Sequence, residues 1–264
     1  MDQREAEILA KLLARANPPP ILYRYRKPSD WALSEISKPE IFVASPDDLN
    51  DPFECSAPVA WDVESLRRNF IELYAPKVGL SAEAAAKEFD SYPLHTMPEI
   101  LRGGLANIRQ DSGIICLSAV PNSIRMWSYY AQAHEGICVG FDTRLTPFAM
   151  AMKVTYQNPD TPLDVAEALR VDPSELAAHI TLRKAAEWEF EQEYRIPVGQ
   201  IGNRPRLMPF NPAAIIEIRF GARLKDDFRV KLVEAISSLP QRPKLIQMRC
   251  DLERFVLTEE IISS

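Results

Sequence analysis

Prolines number 22 in this chain of 264 residues. Each one fixes its own φ, removes a backbone donor and pushes the residue before it away from helical conformation. A chain so punctuated folds into short elements joined by fixed corners, not into long uninterrupted helices or strands. The first barrier is the run Pro18, Pro19 and Pro20. Ahead of it, Ile8, Leu9, Leu12, Leu13 and Ala16 fall on one side of a helix over residues 4–16, so residues 1–18 read as an N-terminal helix and a proline-rich link.

Between the corners the pattern alternates between strand and helix periods. The segment "ILYRYR" reads as a first strand with Ile21, Tyr23 and Tyr25 on one face and Leu22, Arg24 and Arg26 on the other. "DWALSEISKP" reads as a helix or a turn of one, and "IFVAS" as a second short strand. Residues 62–110 are helical in pattern, with Ser81 as a good N-cap for the alanine-rich run that follows. Strand signals return at "GIICLSAV", "GICVGFD" and "MKVTYQ", and again at "EYRIPVG", "AIIEIRFG", "KLIQMRCD" and "RFVLTEE". "PNSIRMWSYYAQAHE" reads as a helix capped by Asn122 or Ser123 and closed by Gly136, "LDVAEALRV" through "AEWEFEQ" as a second helical region, and "KDDFRVKLVEAISSL" as a last helix. No repeat, low-complexity tract or flexible Gly/Ser linker divides the chain. The reading is one α+β domain over 1–264, built of mixed, mostly antiparallel short strands around a cleft, with helical insertions over 62–110 and 161–191.

An apolar share of 46% and a charged share of 26% suit a soluble globular protein. The net charge of −6 argues against nucleic acid and anionic membranes as partners, since neither polyanion attracts an acidic surface. A local basic excess between Arg195 and Lys231 reads as a solvated face, or as a site for a phosphate-bearing ligand. Cys55, Cys116, Cys138 and Cys250 form no C-x-x-C pair, and His95, His134 and His179 complete no zinc pattern, so no metal is expected. Free thiols, no apolar run of membrane-spanning length and an acidic N-terminus without a long apolar core together predict a cytoplasmic protein.

Three stretches have the composition for chemistry. In "EWEFEQEYRI" the glutamates 187, 189, 191 and 193 stand at every second position. A helix splits them into i,i+4 pairs, with Arg183 four residues before Glu187, and a helix-to-strand junction near Glu191 turns Glu191 and Glu193 together toward a cleft. The alternative is a solvated acidic helix. In the aromatic helix, Trp127, Tyr130 and His134 share a face. His134 at its C-terminus is favoured as a cationic cap, while a nucleophilic Cys138–His134 pair is the minor alternative. In "LNDPFEC", Asn50 and Asp51 bond nearby backbone N–H groups and Pro52 holds Asp51 extended, making a rigid corner at the rim of the cleft. Glu54 then contacts a ligand, or Arg24 or Arg26.

Taken in order, "LYRYR", "SPDDLNDPFEC", "CLSAVPNSIRMWSYYAQAHEGICVGFD", "KAAEWEFEQEYRI" and "AIIEIRFG" resemble a bacterial family called domain of unknown function 2971, over roughly residues 21–257. The family name confers no activity; the resemblance implies a setting in phage defence or a toxin-like role. A more distant resemblance, to ADP-ribosyltransferases of the Arg–Ser–Glu-x-Glu type, implies an ADP-ribosyltransferase-like fold with NAD as substrate. It places Arg24 at the NAD phosphate or ribose, Ser45 or Ser118 at the nicotinamide ribose, Glu193 at the ribose hydroxyl and Glu191 at a macromolecular acceptor of unspecified kind. Trp127 or Tyr129 would stack the nicotinamide, and Asn50, Asp51, Glu54 and His134 complete the expected ligand-binding set. A non-catalytic sensor binding a small nucleotide or a partner would use the same cleft, with the carboxylates paired to Arg24, Arg125 or Arg195.

Overall fold

In the computed structural model, which describes residues 16–56, 59–60, 62–93, 95, 97–158, 162–164, 180–199 and 206–263, the expected first strand is β1 (Ile21–Arg26). Its alternation divides between two layers. Leu22 joins the larger core cluster, while Tyr23 and Tyr25 join a second cluster with Trp127, Ile246 and Met248. Helix α1 (Asp30–Ser37) follows, its first turn closed by the Ser29 side chain accepting from the Ala32 N–H. It buries Ala32 and Ile36 against the larger cluster. Strand β2 (Glu40–Phe42) runs into a 3-10 turn at Pro46–Asp48, and β3 (Val59–Ala60) is a two-residue strand.

The helical insertion comprises α2 (Val63–Asn69), a π turn at Phe70–Tyr74, a 3-10 turn at Ala75–Val78, α3 (Ala82–Ser91) and α4 (Met97–Asp111). Ser81 caps α3 as its composition predicts, accepting from the Ala84 N–H. The chain then returns as β4 (Gly113–Ser118), α5 (Ile124–Tyr130) and β5 (Ile137–Asp142). Short strands β6 (Met152–Lys153), β7 (Thr155–Gln157), β8 (Leu163–Asp164) and β9 (Arg183–Ala185) lead to a 3-10 segment at Ala186–Glu191. The remainder is β10 (Glu193–Val198), β11 (Leu207–Pro209), β12 (Ile215–Phe220), α6 (Asp226–Ser237), β13 (Lys244–Asp251) and β14 (Val256–Ser263).

Eight strands form the main sheet in the order β14-β13-β12-β5-β1-β4-β10-β6. Only β12 and β13 are parallel, with α6 between them in the chain; every other neighbouring pair in this sheet is antiparallel. The fold is thus α+β with a mixed, mostly antiparallel sheet. One face packs Phe141, Phe148 and Phe210 as a ring trio, with Phe141 and Phe148 stacked at 4.3 Å between centroids. Burying each such ring contributes about 2–3 kcal/mol over leaving it exposed.

Two local expectations change. The run from Arg183 to Glu191 is not α-helical. Arg183–Ala185 pairs in parallel with β7, and the glutamates that follow lie on a short 3-10 segment. A composition rich in Ala, Glu and Lys favours a helix in isolation, but strand pairing and burial override that preference here. The aromatic helix ends at Tyr130 instead of continuing to His134, because Gln132, Ala133 and His134 all take positive φ. The expected helix over 4–16 and most of the expected insertion over 161–191 lie outside the described residues. Among the described residues no helix is long and apolar enough to cross a membrane, and no group of three or more His, Cys, Asp or Glu side chains is placed to hold a metal ion.

Candidate functional site

The site begins as a parting between two strands. β1 follows β5 in register along its whole length but meets β4 only at Tyr23–Ser118. Beyond that point the far end of β4 is taken by an isolated bridge between Ile114 and Ala44. The gap is a cleft of about 170 Å³ whose walls include Arg24, Ser118, Tyr130, Lys184, Glu191 and Glu193. Side-chain alternation separates the three groups that stand on the main sheet, Arg24 on one face and Ser118 and Glu193 on the other. Arg24 leaves β1 on the face of Leu22, whereas Glu193 is registered with Ser118, which is registered with Tyr23 on the other face.

The floor is a buried ionic network. The Lys184 Nζ lies 2.6 Å from Glu191 Oε2, 3.2 Å from Glu193 Oε2 and 3.2 Å from Glu54 Oε1. Arg195 donates from Nε to Glu193 Oε1 at 2.8 Å, from Nη1 to the Thr181 carbonyl at 2.8 Å, and from Nη2 to Glu193 Oε2 at 2.9 Å and Glu54 Oε1 at 2.8 Å. All five side chains are buried. β10 provides two of them on one face because Glu193 and Arg195 are two apart on a strand. The turn into β10 is made at Gln192, with φ 42°, and is held by Ser118, whose Oγ donates to the Glu191 carbonyl at 2.6 Å. The Tyr130 hydroxyl donates to Glu191 Oε1 and accepts from Asn50 Nδ2 at 3.1 Å, tying the corner at residue 50 to α5.

The charges respond to this setting. Burial opposes ionisation of Glu193, but the Arg195 and Lys184 cations outweigh it and hold the carboxyl at about 2. Burial raises Glu54 and Glu191 above the usual carboxylate range, the neighbouring cations only partly countering it. Lys184 is buried, yet the three carboxylates around it raise its pKa and keep it charged. Burial also raises the Cys116 thiol on the cleft wall well above its ordinary value, which removes it as a thiolate nucleophile.

At the other end of the cleft Arg24 donates from Nη2 to the Phe42 carbonyl at 3.1 Å, and its Nε lies 4.0 Å from Glu35 Oε1. Glu35 is already bound closely by Arg26, so two guanidiniums share one carboxylate. The Arg24 Nη1 is buried without a hydrogen-bond partner. Burial, with Arg26 as a like charge beside it, pulls the Arg24 guanidinium down to about 10, still charged at neutral pH.

Arg24, Ser118, Asn50, Glu54, Glu191 and Glu193 therefore line one cleft, as sequence reasoning groups them. The others fall elsewhere. Ser45 caps the Pro46–Asp48 turn, its Oγ donating to Asp48 at 2.9 Å, and does not line the cleft. Trp127 is wholly buried, with Nε1 donating to the Pro121 carbonyl at 2.9 Å and its ring edge-on to Tyr25, so it has no face open to a ligand. Tyr129 is exposed and lines a separate, outer groove. Asp51 makes the expected corner by accepting from the Phe53 N–H at 2.9 Å, but it is buried and outside the cleft wall.

Glu54 does not reach Arg24 or Arg26; the corner carries it inward to Arg195 and Lys184. His134 stacks on Trp127 outside the cleft, and burial, aided by the Arg223 charge, lowers its pKa, so it is no cationic helix cap. Burial likewise raises the Cys138 thiol, which leaves no activated Cys138–His134 pair. Arg125 lies over the Phe190 ring, and of the arginines expected to pair with the acidic dyad, Arg195 is the one that does. Two residues of the expected basic face, Arg195 and Arg219, are buried in ion pairs. Lys184 and Tyr130 were not singled out as site residues by the sequence. Their relation to Glu191 arises from tertiary pairing; a same-face Glu-x-Arg on a strand is the local signal for the Arg195 half of the network.

A family model described as protein of unknown function (DUF2971) matches residues 126–196. That segment contains Tyr130, Lys184, Glu191, Glu193 and Arg195, the larger part of the cleft floor. No curated protein and no solved structure matches the chain.

Proposed function

We propose that the cleft binds a small phosphorylated ligand, with the phosphate toward Arg24 and hydroxyl donors or a positive charge toward Glu191; NAD is the member of this class to which the residue order points. The observation that carries this reading is the separation of charge across the cleft. At one end Arg24 and Arg26 share the carboxylate of Glu35, leaving a positive excess among these three. At the other, Glu54, Glu191 and Glu193 meet Lys184 and Arg195, leaving a negative excess. A guanidinium with unused donor capacity in a poorly hydrated setting binds a phosphate oxygen strongly. The test is calorimetric titration of NAD, ADP-ribose and AMP into the wild-type chain and Arg24→Gln. At least one should bind, and the variant should weaken it about tenfold or more, in line with loss of a charge-assisted hydrogen bond. No binding of any of the three, or equal binding by the variant, overturns the reading.

Binding is favoured over turnover because the carboxylates are already engaged. Both Glu193 oxygens accept from Arg195, one of them also from Lys184, and the Glu191 oxygens accept from Tyr130 and Lys184. A carboxylate neutralised in this way offers less to a developing positive charge than a free one.

A second reading, cleavage of NAD or ADP-ribosyl transfer, rests on a separate observation. Arg24, Ser118, Glu191 and Glu193 line one cleft in the chain order Arg–Ser–Glu-x-Glu, with Ser118 in place of Ser45. In that chemistry a fixed carboxylate stabilises the positive charge that builds on the sugar as the nicotinamide–ribose bond breaks. Release of nicotinamide from NAD by the wild type, lost in Glu193→Gln while NAD still binds, supports it. Absence of release at saturating NAD rejects it without touching the binding reading.

A further inference from the structure

We propose that the groove beside the cleft is a binding site for a planar heteroaromatic base, stacked on Trp31 and Tyr129; this rests on the reading that the cleft takes a phosphorylated ligand. The groove has a volume of about 690 Å³, within the usual size of small-molecule sites and far larger than the cleft at about 170 Å³. The two share Tyr25, Arg26, Leu49, Asn50 and Tyr130 as walls, so one ligand spans both. The cleft has room for a phosphate and part of a sugar. The remainder of a nucleotide must lie in the groove.

The groove's composition fits that remainder. Trp31 is 68% exposed and Tyr129 is 66% exposed, an unusual state for large aromatic side chains in one depression. Neither belongs to a loosely held segment. Trp31 sits in the first turn of α1, fixed by the Ser29 cap, with its ring 6.5 Å from Phe42. Tyr129 sits in the last turn of α5, with its ring 5.9 Å from Phe190. Exposed aromatic rings on helical backbone favour flat π-systems, and stacking tolerates any base because each has a π-face. Ser34 and Asp48 on the groove walls provide hydrogen-bonding groups for the edges of such a ring, while the Ser29 hydroxyl is taken up in capping α1.

The test compares two probes of the same charge that differ by the base alone: AMP and ribose 5-phosphate, titrated calorimetrically into the full chain. In the wild type AMP should bind about tenfold or more tightly than ribose 5-phosphate, the effect of one stacked base. Trp31→Ala and Tyr129→Ala, both at exposed positions, should reduce the AMP advantage and leave ribose 5-phosphate unchanged. Arg24→Gln should weaken both probes. Equal binding of the two probes by the wild type, or unaltered AMP affinity in both aromatic variants, overturns the base site while leaving the phosphate reading intact. If neither probe binds the wild type, the base site fails, and the phosphate reading fails with it when NAD and ADP-ribose do not bind either.

Discussion

Glu54 and Arg195 stand 141 positions apart in sequence, yet the guanidinium Nη2 of one lies 2.7 Å from a carboxylate oxygen of the other in the interior. This contact pins the corner "NDPFEC" to β10, so the corner is a structural tie as well as a turn. Removing the acid leaves Arg195 buried with Glu193 as its remaining carboxylate partner. Glu54→Ala should therefore lower stability by about 3–5 kcal/mol, the usual effect of breaking a buried ion pair from one side. Urea unfolding of the variant beside the wild type measures it, and a change below about 1 kcal/mol, the range of exposed ion pairs, would show the contact to be incidental.

Lys184 holds three carboxylates together, and its loss should be felt most where those acids are ionised. Lys184→Met keeps the length of the side chain and deletes the charge. The expected loss is about 3–5 kcal/mol at pH 8. At pH 5 the deficit relative to wild type should shrink, because Glu191 and Glu54, already raised by burial, take up protons once the cation is gone and then need no partner. Unfolding free energies at the two pH values check this; a deficit independent of pH contradicts it.

The depressed carboxyl of Glu193 makes a different pH prediction. Its folded value is about 2 against an ordinary 4.5, so between those limits the unfolded chain binds a proton that the folded chain refuses. The stabilisation is complete above about 4.5 and is lost as pH falls toward 2. Glu54 and Glu191, shifted upward, act with the opposite sign at higher pH and cannot mimic this fall. Stability measured from pH 5 down to 2.5 should thus decline less steeply for Glu193→Gln than for the wild type. Parallel curves would show that Glu193 is not held ionised by its neighbours.

Gly136 permits the close approach of β1 to the start of β5. A Cβ at this position would lie 2.0 Å from the Arg26 carbonyl oxygen and 3.2 Å from the Ala131 Cα, both backbone atoms that cannot swing aside. Gly136→Ala should displace the end of β1, including Arg26, and lower stability by about 3 kcal/mol or more, at the upper end of overpacking effects. Thermal unfolding of the variant is the check, and an unchanged melting temperature would contradict it.

Much of the architecture follows from local pattern. The period-two alternation of β1 and the Ser29, Ser81 and Ser123 caps are features of adjacent residues, and adjacent residues decide them. The site was less legible. Arg24, Glu191 and Glu193 could be grouped by their order in the chain, with Ser118 competing against Ser45 for the serine, but Lys184 lies in a segment whose composition favours a helix, and only pairing with β7 makes it a strand. Trp127 has the chemistry of a stacking platform, but tertiary packing buries it wholly beside Tyr25 and leaves no face open. The Glu-x-Arg spacing of Glu193 and Arg195 recurs at Glu217 and Arg219, where Nε and Oε1 lie 2.7 Å apart against 2.8 Å in the first pair. On a strand that spacing places opposite charges side by side; Arg195 is one of three arginines the sequence offers to the acidic pair, whereas Glu217 and Arg219 are not paired from sequence.

The ionic floor also restricts how such a chain can change over generations. The buried side chains of residues 54, 184, 191, 193 and 195 are joined by ion pairs, so replacing any one strands its neighbours. Substitution there has to be concerted, with an acid and a base leaving together. Relatives should accordingly either keep the whole set or have exchanged opposite members in company.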